Sequence, residues 1–371
     1  MNPWESATAG LPSPLVAVDL DAFDANADDL VRRAGGLPIR VASKSLRCRA
    51  LLDRVLARPG FAGVMAYAVP EAVWLVTAGV RDVFVAYPSV DVEALRAVAA
   101  DDRLRSEVTI TIDSVEHVRW LRDNLGAAAR GLGVALDVDA SLRVGPVHLG
   151  VRRSPTRTPA QALAVVRAAL GVGLDVRGVM TYDAQVAGLP DAGPHLRALK
   201  RRSVPEIADR RRAVVEALRA ETDVRFVNAG GTGSLHRFAG DPVVTELAAG
   251  SGLYAPTLFD AYDDFSPRPA MAFALPVVRR PAPGFATARI YSFGDYYAIS
   301  ADIAGAGWAL TGTTAKVSLP VTAPLRTQVG PEDLVIQRTI DGQLASFVRY
   351  GVLYTVELRC DEPTDARCRD D

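Results

Sequence analysis

The sequence predicts an α/β protein, built as a (β/α)8 TIM-type barrel with a C-terminal all-β domain. Three observations lead to this fold class. Short β-branched runs alternate with longer helical patterns, eight such runs follow one another, and the alternation stops after about Phe265. Strands that alternate with helices indicate parallel β/α units, and eight of these units form a closed barrel. We therefore predict a barrel domain at residues 14–265 and a β domain at residues 266–371.

The barrel elements follow in chain order. A first strand at Leu15–Asp19 precedes a helix with Asp21 as its N-cap, and Ser45 is the predicted N-cap of the helix after the next strand. The eight barrel strands are predicted at Ile39–Ser43, Gly63–Tyr67, Val83–Tyr87, Val108–Asp113, Gly133–Asp139, Val176–Tyr182, Val224–Ala229 and Val244–Ala249. The helical patterns that separate them lie at Pro70–Ala78, Val92–Ala100, Val115–Leu125, Pro159–Leu170 and His195–Glu221.

Proline-rich segments and short β-prone runs characterise the residues after Phe265. The clearest strand candidates are Phe285–Phe293, Tyr296–Ile299, Trp308–Thr311, Lys316–Leu319, Leu334–Arg338 and Val352–Arg359. Short strands that are connected by glycine and proline turns indicate an all-β domain. The charged tail after Cys360 is expected to fray.

Composition narrows the class of protein without naming a function. Of the 371 residues, 49% are apolar, which supplies a large core, and the net charge of −1 argues against nucleic acid as a partner. The three cysteines are not spaced like metal ligands, and an odd number of cysteines cannot all pair in disulfides. Both observations favour a reducing compartment. Met1–Pro14 does not resemble a signal peptide, and no run of roughly 18 uncharged apolar residues is present to span a membrane. We expect a cytoplasmic protein.

Lys44 lies where the first barrel strand gives way to a helical pattern, and it is one of only three lysines in the chain. A lysine enclosed in a barrel mouth is desolvated, which favours its neutral amine and suits it to Schiff-base formation. The alternative is a surface lysine whose stem packs on the protein while its ammonium group reaches water.

Polar and glycine-rich segments follow the later strands. Asp137 and Asp139 close the fifth strand, and as strand-end carboxylates they are expected to cap the next turn or to pair with Arg143. The glycine-rich segments Asn228–Ser234 and Ala249–Tyr254 follow the seventh and eighth strands. Neighbouring loops of this kind expose backbone N–H groups, and the helix start after the first loop adds its dipole, so the two loops predict a phosphate cradle. The alternative for Gly-Gly-Thr-Gly is a tight turn.

A phosphate cradle across a barrel mouth from a lysine suits pyridoxal 5'-phosphate, which bonds to the lysine and is anchored through its phosphate. Five segments resemble, in this order, the alanine-racemase-fold (fold type III) pyridoxal-phosphate enzymes: Pro14–Asp21, Arg40–Cys48, Met180–Gln185, Asn228–Ser234 and Ala249–Tyr254. Within that family the chain is most similar to the D-threonine aldolase and D-serine dehydratase group, in particular to bacterial amino acid deaminase/aldolase proteins. The resemblance covers about residues 14–285.

The resemblance implies roles for individual residues. Lys44 would bind the cofactor and act as a base, Arg143 would reach the cofactor's phenolate oxygen with His148 as a lesser candidate, and Tyr182 and Gln185 would line the cofactor and substrate side. The implied cofactor contacts of the glycine-rich loops are Asn228, Gly231, Thr232, Gly233, Ser251, Gly252 and Leu253. Tyr182 is alternatively a core aromatic residue. The resemblance also implies a homodimer.

The chain departs from the D-threonine aldolase group at the metal site. That group holds a divalent metal in the β domain through a histidine followed closely by cysteine or aspartate, whereas residues 237–371 contain no histidine. Arg338 and Ala345 occupy the expected ligand positions, and arginine does not bind zinc. We predict that the metal site is lost. Arg338 would then anchor the substrate, and His236 or a tyrosine of the Tyr291–Tyr297 run would act as an acid or base, unless those tyrosines only pack the strands.

Three functions fit these observations. The first is a pyridoxal-phosphate lyase that acts on a D-configured β-hydroxy-α-amino acid, by retro-aldol cleavage or aldol addition, without the family's metal. The second is an amino acid racemase or epimerase, or a D-serine-type dehydratase, of the same fold. The third, from another class, is a protein that binds pyridoxal phosphate with little turnover.

Overall fold

The computed structural model describes residues 3–275, 288–293, 296–303, 306–313, 328–330, 334–338, 342–349 and 352–360. The chain divides into two compact units between Leu275 and Pro276. The strand candidate Lys316–Leu319, the first three residues of Phe285–Phe293 and the tail after Cys360 lie outside the described residues.

The first unit contains twelve strands and twelve α-helices among its described residues. The strands are β1 (Leu15–Val18), β2 (Ile39–Ala42), β3 (Phe61–Ala66), β4 (Val83–Pro88), β5 (Val108–Ile112), β6 (Gly133–Asp137), β7 (Leu142–Val144), β8 (Val147–Leu149), β9 (Asp175–Thr181), β10 (Phe226–Ala229), β11 (Glu246–Ala249) and β12 (Met271–Ala274). The helices are α1 (Pro3–Thr8), α2 (Leu20–Arg33), α3 (Ser43–Leu46), α4 (Arg49–Leu56), α5 (Val69–Thr77), α6 (Val92–Ala100), α7 (Asp102–Glu107), α8 (Val115–Leu125), α9 (Pro159–Gly171), α10 (Ala184–Ala187), α11 (Pro194–Arg219) and α12 (Leu235–Phe238).

Eight of these strands form a closed parallel barrel, in the order β10-β11-β2-β3-β4-β5-β6-β9. Each of them coincides with one of the eight predicted strands, so the predicted barrel is confirmed. Every residue of β5 and β6 is buried. Continuous burial is typical of parallel strands that are covered on both faces, here by side chains inside the barrel and helices outside it.

Two strand pairs of the first unit lie outside the barrel. The strand β1 pairs with β12 in antiparallel orientation, with Val18 opposite Met271. The hairpin β7–β8, which the sequence did not predict, follows β6 and sets Arg143 opposite His148. The first of these pairings joins the beginning and the end of the first unit.

Two predicted helix caps are wrong. The N-cap of α2 is Asp19, whose carboxylate accepts hydrogen bonds from the backbone N–H groups of Asp21 and Ala22 at 3.0 and 2.9 Å. Ser45 lies inside the single turn α3, and the next helix begins after Cys48 without a side-chain cap. The chain thus leaves β2 through a separate helical turn, and this turn contains Lys44.

A buried ion pair joins the neighbouring strands β2 and β11. The guanidinium of Arg40, on β2, donates to both carboxylate oxygens of Glu246, on β11, at 2.7 Å each. Asn228 also donates to Glu246, at 2.9 Å, and Asp82 accepts from Arg40 at the more exposed end of the group. These contacts satisfy polar groups that would otherwise be costly to bury.

The second unit is an antiparallel sheet in the order β13-β14-β15-β19-β18-β17-β16. Its strands are β13 (Ala288–Phe293), β14 (Tyr296–Ile303), β15 (Ala306–Thr313), β16 (Gln328–Gly330), β17 (Leu334–Arg338), β18 (Gly342–Arg349) and β19 (Val352–Cys360). The all-β prediction is confirmed, although β16 and β18 were not among the predicted strands. Among the described residues, no helix is long and apolar enough to cross a membrane.

Candidate active site

A cleft opens at the carboxyl ends of the barrel strands. Its cavity volume is about 160 Å³, and residues from several strand ends line it. The cleft brings together six of the residues predicted for the site: Lys44, Tyr182, Asn228, Gly231, Thr232 and Ser251. Sequence reasoning missed four further lining residues with polar side chains, namely Ser45, Tyr67, Tyr87 and Arg153.

Lys44 is placed by a short and well-defined turn. The strand β2 ends at Ala42, and Ser43 anchors the turn because its hydroxyl donates to the backbone carbonyl of Met65 at 3.2 Å. Arg47 ends the turn in the left-handed region with φ at 52°. The sequence predicts a desolvated lysine, whereas the side chain of Lys44 is exposed at the open end of the cleft. Its ammonium group donates a hydrogen bond to the phenolic oxygen of Tyr87 at 3.0 Å.

Tyr87, near the end of β4, lies between two cations. Lys44 Nζ contacts its phenolic oxygen, and the guanidinium carbon of Arg153 lies 4.6 Å from the centre of its ring. Partial burial raises the pKa of Tyr87, but the hydrogen bond and charge of Lys44, with the charge of Arg153, outweigh it and lower the pKa below the ordinary value. The cleft therefore contains a phenol that ionises more readily than a free tyrosine.

Arg153 reaches the cleft from the loop between β8 and α9. The loop is fixed by Ser154, whose hydroxyl donates to the carbonyl of Asp137 at 2.7 Å, and by Thr156, which donates to the carbonyl of Asp113 at 2.6 Å. The guanidinium donates to the carbonyl of Ala86 at 3.1 Å. The Ser-Pro-Thr segment after Arg153 was the available signal, because small hydroxyl residues around a proline often bond to nearby backbone.

The guanidinium of Arg153 also lies near the ring of Tyr182, the residue that follows β9. The guanidinium carbon lies 5.1 Å from the centre of the Tyr182 ring. Burial raises the pKa of Tyr182, and the neighbouring Asp183 adds to this effect while Arg153 opposes it. Tyr182 thus remains protonated over a wider pH range than Tyr87. It forms one wall of the cleft, as a packed aromatic residue with an available hydroxyl.

The two glycine-rich loops meet through Thr232. Its hydroxyl accepts a hydrogen bond from the backbone N–H of Gly252 at 3.1 Å, and the hydroxyl of Ser251 lies 3.4 Å away. The backbone N–H groups of Thr232 and Ser251 line the cleft without an acceptor among the described residues. The helix α12 that follows has a single turn, so its dipole adds little to this anion site. Two free N–H donors remain available to an anion.

Four predicted loop and strand-end residues lie behind the cleft lining. Gly252 donates its N–H to Thr232, while Leu253 is fully buried and donates its N–H to the carbonyl of Gly250. A Cβ atom at Gly233 would lie 2.4 Å from the carbonyl oxygen of Ala187, so this glycine packs against protein. The amide of Gln185 is buried and donates to the carbonyl of Ala140 at 2.7 Å.

Two predicted polar residues are directed elsewhere in the structure. Arg143, on β7, has a side chain 54% exposed outside the cleft lining, and its guanidinium lies 3.9 Å from Asp139. His236, on α12, contacts the carboxylate of Asp264 at 3.0 Å. Burial lowers the pKa of His236 although Asp264 opposes this, and the ring is also outside the cleft lining. Neither side chain faces the cleft.

The two strand-end aspartates differ in their surroundings. Asp139 accepts hydrogen bonds from the backbone and hydroxyl of Ser141 at 3.0 and 2.8 Å and from Arg157 at 2.8 Å, so it caps the following turn. Burial raises the pKa of Asp137 to about 7, with Arg153 opposing and Asp139 adding to the effect. Neither carboxylate lines the cleft.

The predicted second-unit residues lie on two paired strands. The backbone of Arg338 is at the end of β17, and Ala345, on β18, is paired with Ile336. A methyl side chain at Ala345 supplies no metal ligand. Within the described ranges, no group of three or more histidine, cysteine, aspartate or glutamate side chains is placed to hold a metal ion.

The barrel with a lysine and two glycine-rich loops at its mouth defines the class of (β/α)8 proteins with a small-molecule site at the strand ends. Within this class the chain belongs to the alanine racemase family, since the model of the alanine racemase N-terminal domain matches residues 18–257. The family resemblance inferred from the five sequence segments is therefore confirmed.

The chain is similar to named lyases at low identity. It is 26% identical over 244 residues to 3-hydroxy-D-aspartate aldolase of Paracoccus denitrificans, which is 65% of this chain and 60% of the relative. It is 26% identical over 249 residues to D-threonine aldolase of Arthrobacter sp., which is 66% of this chain and 61% of the relative. Both matches thus span about three fifths of the relative's length.

Solved structures share the fold. D-threonine aldolase from Filomicrobium marinum superimposes with a TM-score of 0.58 at 20% identity, over 95% of this chain and 83% of that one. D-threo-3-hydroxyaspartate dehydratase from Delftia sp. HT23 gives a TM-score of 0.55 at 19% identity, over 78% and 71% of the two chains. At these identities the similarity establishes the architecture alone.

Proposed function

We propose that the protein is a pyridoxal 5'-phosphate-dependent lyase that cleaves, or forms by aldol addition, a D-configured β-hydroxy-α-amino acid without a divalent metal. One observation supports this most directly. Lys44 and the unpaired N–H groups of Thr232 and Ser251 line the same cleft of an alanine racemase-family barrel. The names of the relatives, two aldolases and a dehydratase of D-hydroxyamino acids, support the reaction class.

The cleft residues fit the cofactor at three points. The free N–H groups of Thr232 and Ser251 suit a phosphate, since backbone donors bind such anions well. Lys44 supplies the primary amine for covalent attachment, and it is exposed enough to react. Arg153 offers the guanidinium for a phenolate oxygen, in place of Arg143, which lies outside the cleft lining.

Bound pyridoxal phosphate supplies a sink for the electron pair that is left at Cα when a bond to that carbon breaks. The residues around the cofactor transfer protons, stabilise charge and exclude water. The Lys44 amine moves a proton to or from Cα, and Arg153 stabilises negative charge between Tyr87 and Tyr182. Met65, Ala86 and other apolar side chains of the lining exclude water from the reacting atoms.

The proposal of a metal-free reaction rests on the ligand atoms available. The sequence after His236 contains no histidine, and Ala345 has no donor atom. Divalent metals that help to ionise a hydroxyl are held by histidine, cysteine or carboxylate side chains. Arg338 is then proposed as a substrate anchor. We also propose a homodimer, which the resemblance implies.

The test is cleavage of D-threonine and D-3-hydroxyaspartate by the protein loaded with pyridoxal phosphate, before and after treatment with a chelator. The expected products of D-threonine are glycine and acetaldehyde, formed at a rate that chelation leaves unchanged, with L-threonine as the inert control. Loss of activity on chelation that added metal restores would refute the metal-free reaction. Exchange of the Cα proton without cleavage would favour the racemase, and dehydration to 2-oxobutanoate would favour the dehydratase.

Replacement of Arg153 by glutamine is expected to weaken the binding of pyridoxal phosphate by about 10- to 100-fold, since a hydrogen bond to a charged group contributes about 1.5–3 kcal/mol. Arg143→Gln is the matched control, because its guanidinium is exposed beside Asp139 and outside the lining. Fluorescence titration of the cofactor-free proteins measures both affinities. A larger loss in Arg143→Gln than in Arg153→Gln would reverse the assignment.

A further inference from the structure

The part of the cleft that the structure describes is lined by few groups that can exchange a proton. No histidine, aspartate or glutamate is among the lining residues. The ionisable side chains are Lys44, Tyr67, Tyr87, Arg153 and Tyr182. Arginine stays protonated in proteins, and Lys44 is required for the cofactor in the proposed function. A tyrosine phenol is therefore the remaining group that can accept or donate a proton at the substrate's own hydroxyl.

The three phenols differ in their contacts. The Tyr87 oxygen is the one that accepts a hydrogen bond from Lys44, at 3.0 Å. The ring of Tyr182 faces Arg153 at 5.1 Å, and the ring of Tyr67 faces Arg47 at 4.6 Å. Because a substrate amine must approach the carbon to which Lys44 Nζ bonds, the Tyr87 oxygen lies beside the place where Cα and Cβ react.

The charges around Tyr87 favour its anionic form. Lys44 on α3 and Arg153 on the loop after β8 are the cations that face it, and Tyr182 after β9 is the nearby titratable group. Burial raises the pKa of Tyr87, yet the two cations together lower the pKa below the ordinary tyrosine value. For Tyr182, burial and Asp183 raise the pKa, so that phenol is the weaker candidate for a base.

We propose that Tyr87 is the catalytic acid–base residue for the substrate's β-hydroxyl, paired with Lys44 through the hydrogen bond between their side chains. This inference rests on the proposed lyase function. In this reaction Tyr87, which lies between Lys44 and Arg153, accepts the hydroxyl proton without the help of a metal.

The proton transfers balance over one turnover. In cleavage, the β-hydroxyl proton passes to the Tyr87 oxygen, the oxygen's electron pair forms a carbonyl at Cβ, and the Cα–Cβ bond breaks with its pair remaining on the Cα side. The aldehyde leaves, and the Lys44 ammonium gives a proton to Cα. The phenol proton then returns from Tyr87 to the amine of Lys44 along the 3.0 Å contact.

The pairing is tested on the cofactor-free protein by ultraviolet titration of tyrosine ionisation. The wild type should show one tyrosine that ionises below the others, Tyr87→Phe should lack that step, and Lys44→Met should shift it to higher pH. Tyr67→Phe is the control that keeps the early step, because Arg47 rather than Lys44 faces that ring. An early step that persists in Tyr87→Phe would overturn the pairing.

The catalytic role is tested on the loaded protein. Tyr87→Phe should retain the visible absorption band of lysine-bound pyridoxal phosphate, lower kcat/KM for D-threonine cleavage by about 10²- to 10³-fold, and lose one ionisation from the acidic limb of the pH profile. Cleavage by Tyr87→Phe at the wild-type rate and pH profile would refute the role of Tyr87 alone. A loaded wild type that does not cleave would refute the proposed function itself.

Discussion

Replacement of Lys44 by alanine is expected to abolish the visible absorption band of the loaded protein and to lower cleavage of D-threonine by at least about 10³-fold. The cleft offers no other amine, since Lys44 is the only lysine among its lining residues in the described part of the chain. Loss of this side chain removes both the covalent attachment point and the donor that faces Tyr87 at 3.0 Å. Absorption spectra and single-substrate kinetics on the same preparations measure both effects.

The matched variant is Lys44→Arg. It preserves a cation next to Tyr87, but a guanidinium stays protonated and forms no stable Schiff base. Equal loss of the absorption band in Lys44→Ala and Lys44→Arg would show that the cofactor is attached through the Lys44 amine. Of these two variants, only Lys44→Arg should keep the early ionisation of Tyr87. A band of full intensity in Lys44→Ala would show that another lysine binds the cofactor, and it would remove the main support for the proposed function.

Replacement of Glu246 by glutamine is expected to reduce the free energy of unfolding by about 3 kcal/mol, because it leaves the buried guanidinium of Arg40 without its main counter-charge. The side chain of Arg40 is 2% exposed and that of Glu246 is 10% exposed. The glutamine keeps one acceptor oxygen for Asn228, a cleft-lining residue, but its NH2 group faces an N–H donor of Arg40. Urea denaturation followed by circular dichroism measures the loss.

Asp82→Asn is the control for this experiment. Asp82 binds the same guanidinium at 2.9 Å, but its side chain is 58% exposed. Solvent screens an ion pair of this kind, so its loss is expected to cost less than about 1 kcal/mol. Equal effects of the two substitutions would mean that burial does not set the strength of these contacts.

Most of the fold could be predicted from the sequence because parallel barrel strands repeat one simple pattern. Runs such as Val108–Ile112 are β-branched and wholly buried, and helical patterns separate them. The caps at Asp21 and Ser45 were wrong for a local reason. Asp19 is two residues before Asp21 and caps equally well, and the single turn that contains Ser45 is too short for a periodic pattern.

The site could be predicted only where its residues directly follow barrel strands. Lys44 and the two glycine-rich loops follow strand ends, so their convergence follows from the barrel itself. Arg153 lies in an irregular loop, and its direction depends on hydrogen bonds of Ser154 and Thr156 to strands distant in sequence. Arg143 was the candidate that the family resemblance implied, but the hairpin that holds it has no sequence signal strong enough to predict it.

The pairing of β1 with β12 and of β2 with β11 has a consequence for synthesis of the chain. Ile39 pairs with Leu247 and Val18 with Met271, so each early strand waits for a partner that is made near the end of the first unit. Until then β2 has one open edge, and open edges attract other strands. Barrel closure is therefore a late event on the ribosome, and a nascent chain that stalls before Glu246 presents that edge to chaperones or to neighbouring nascent chains.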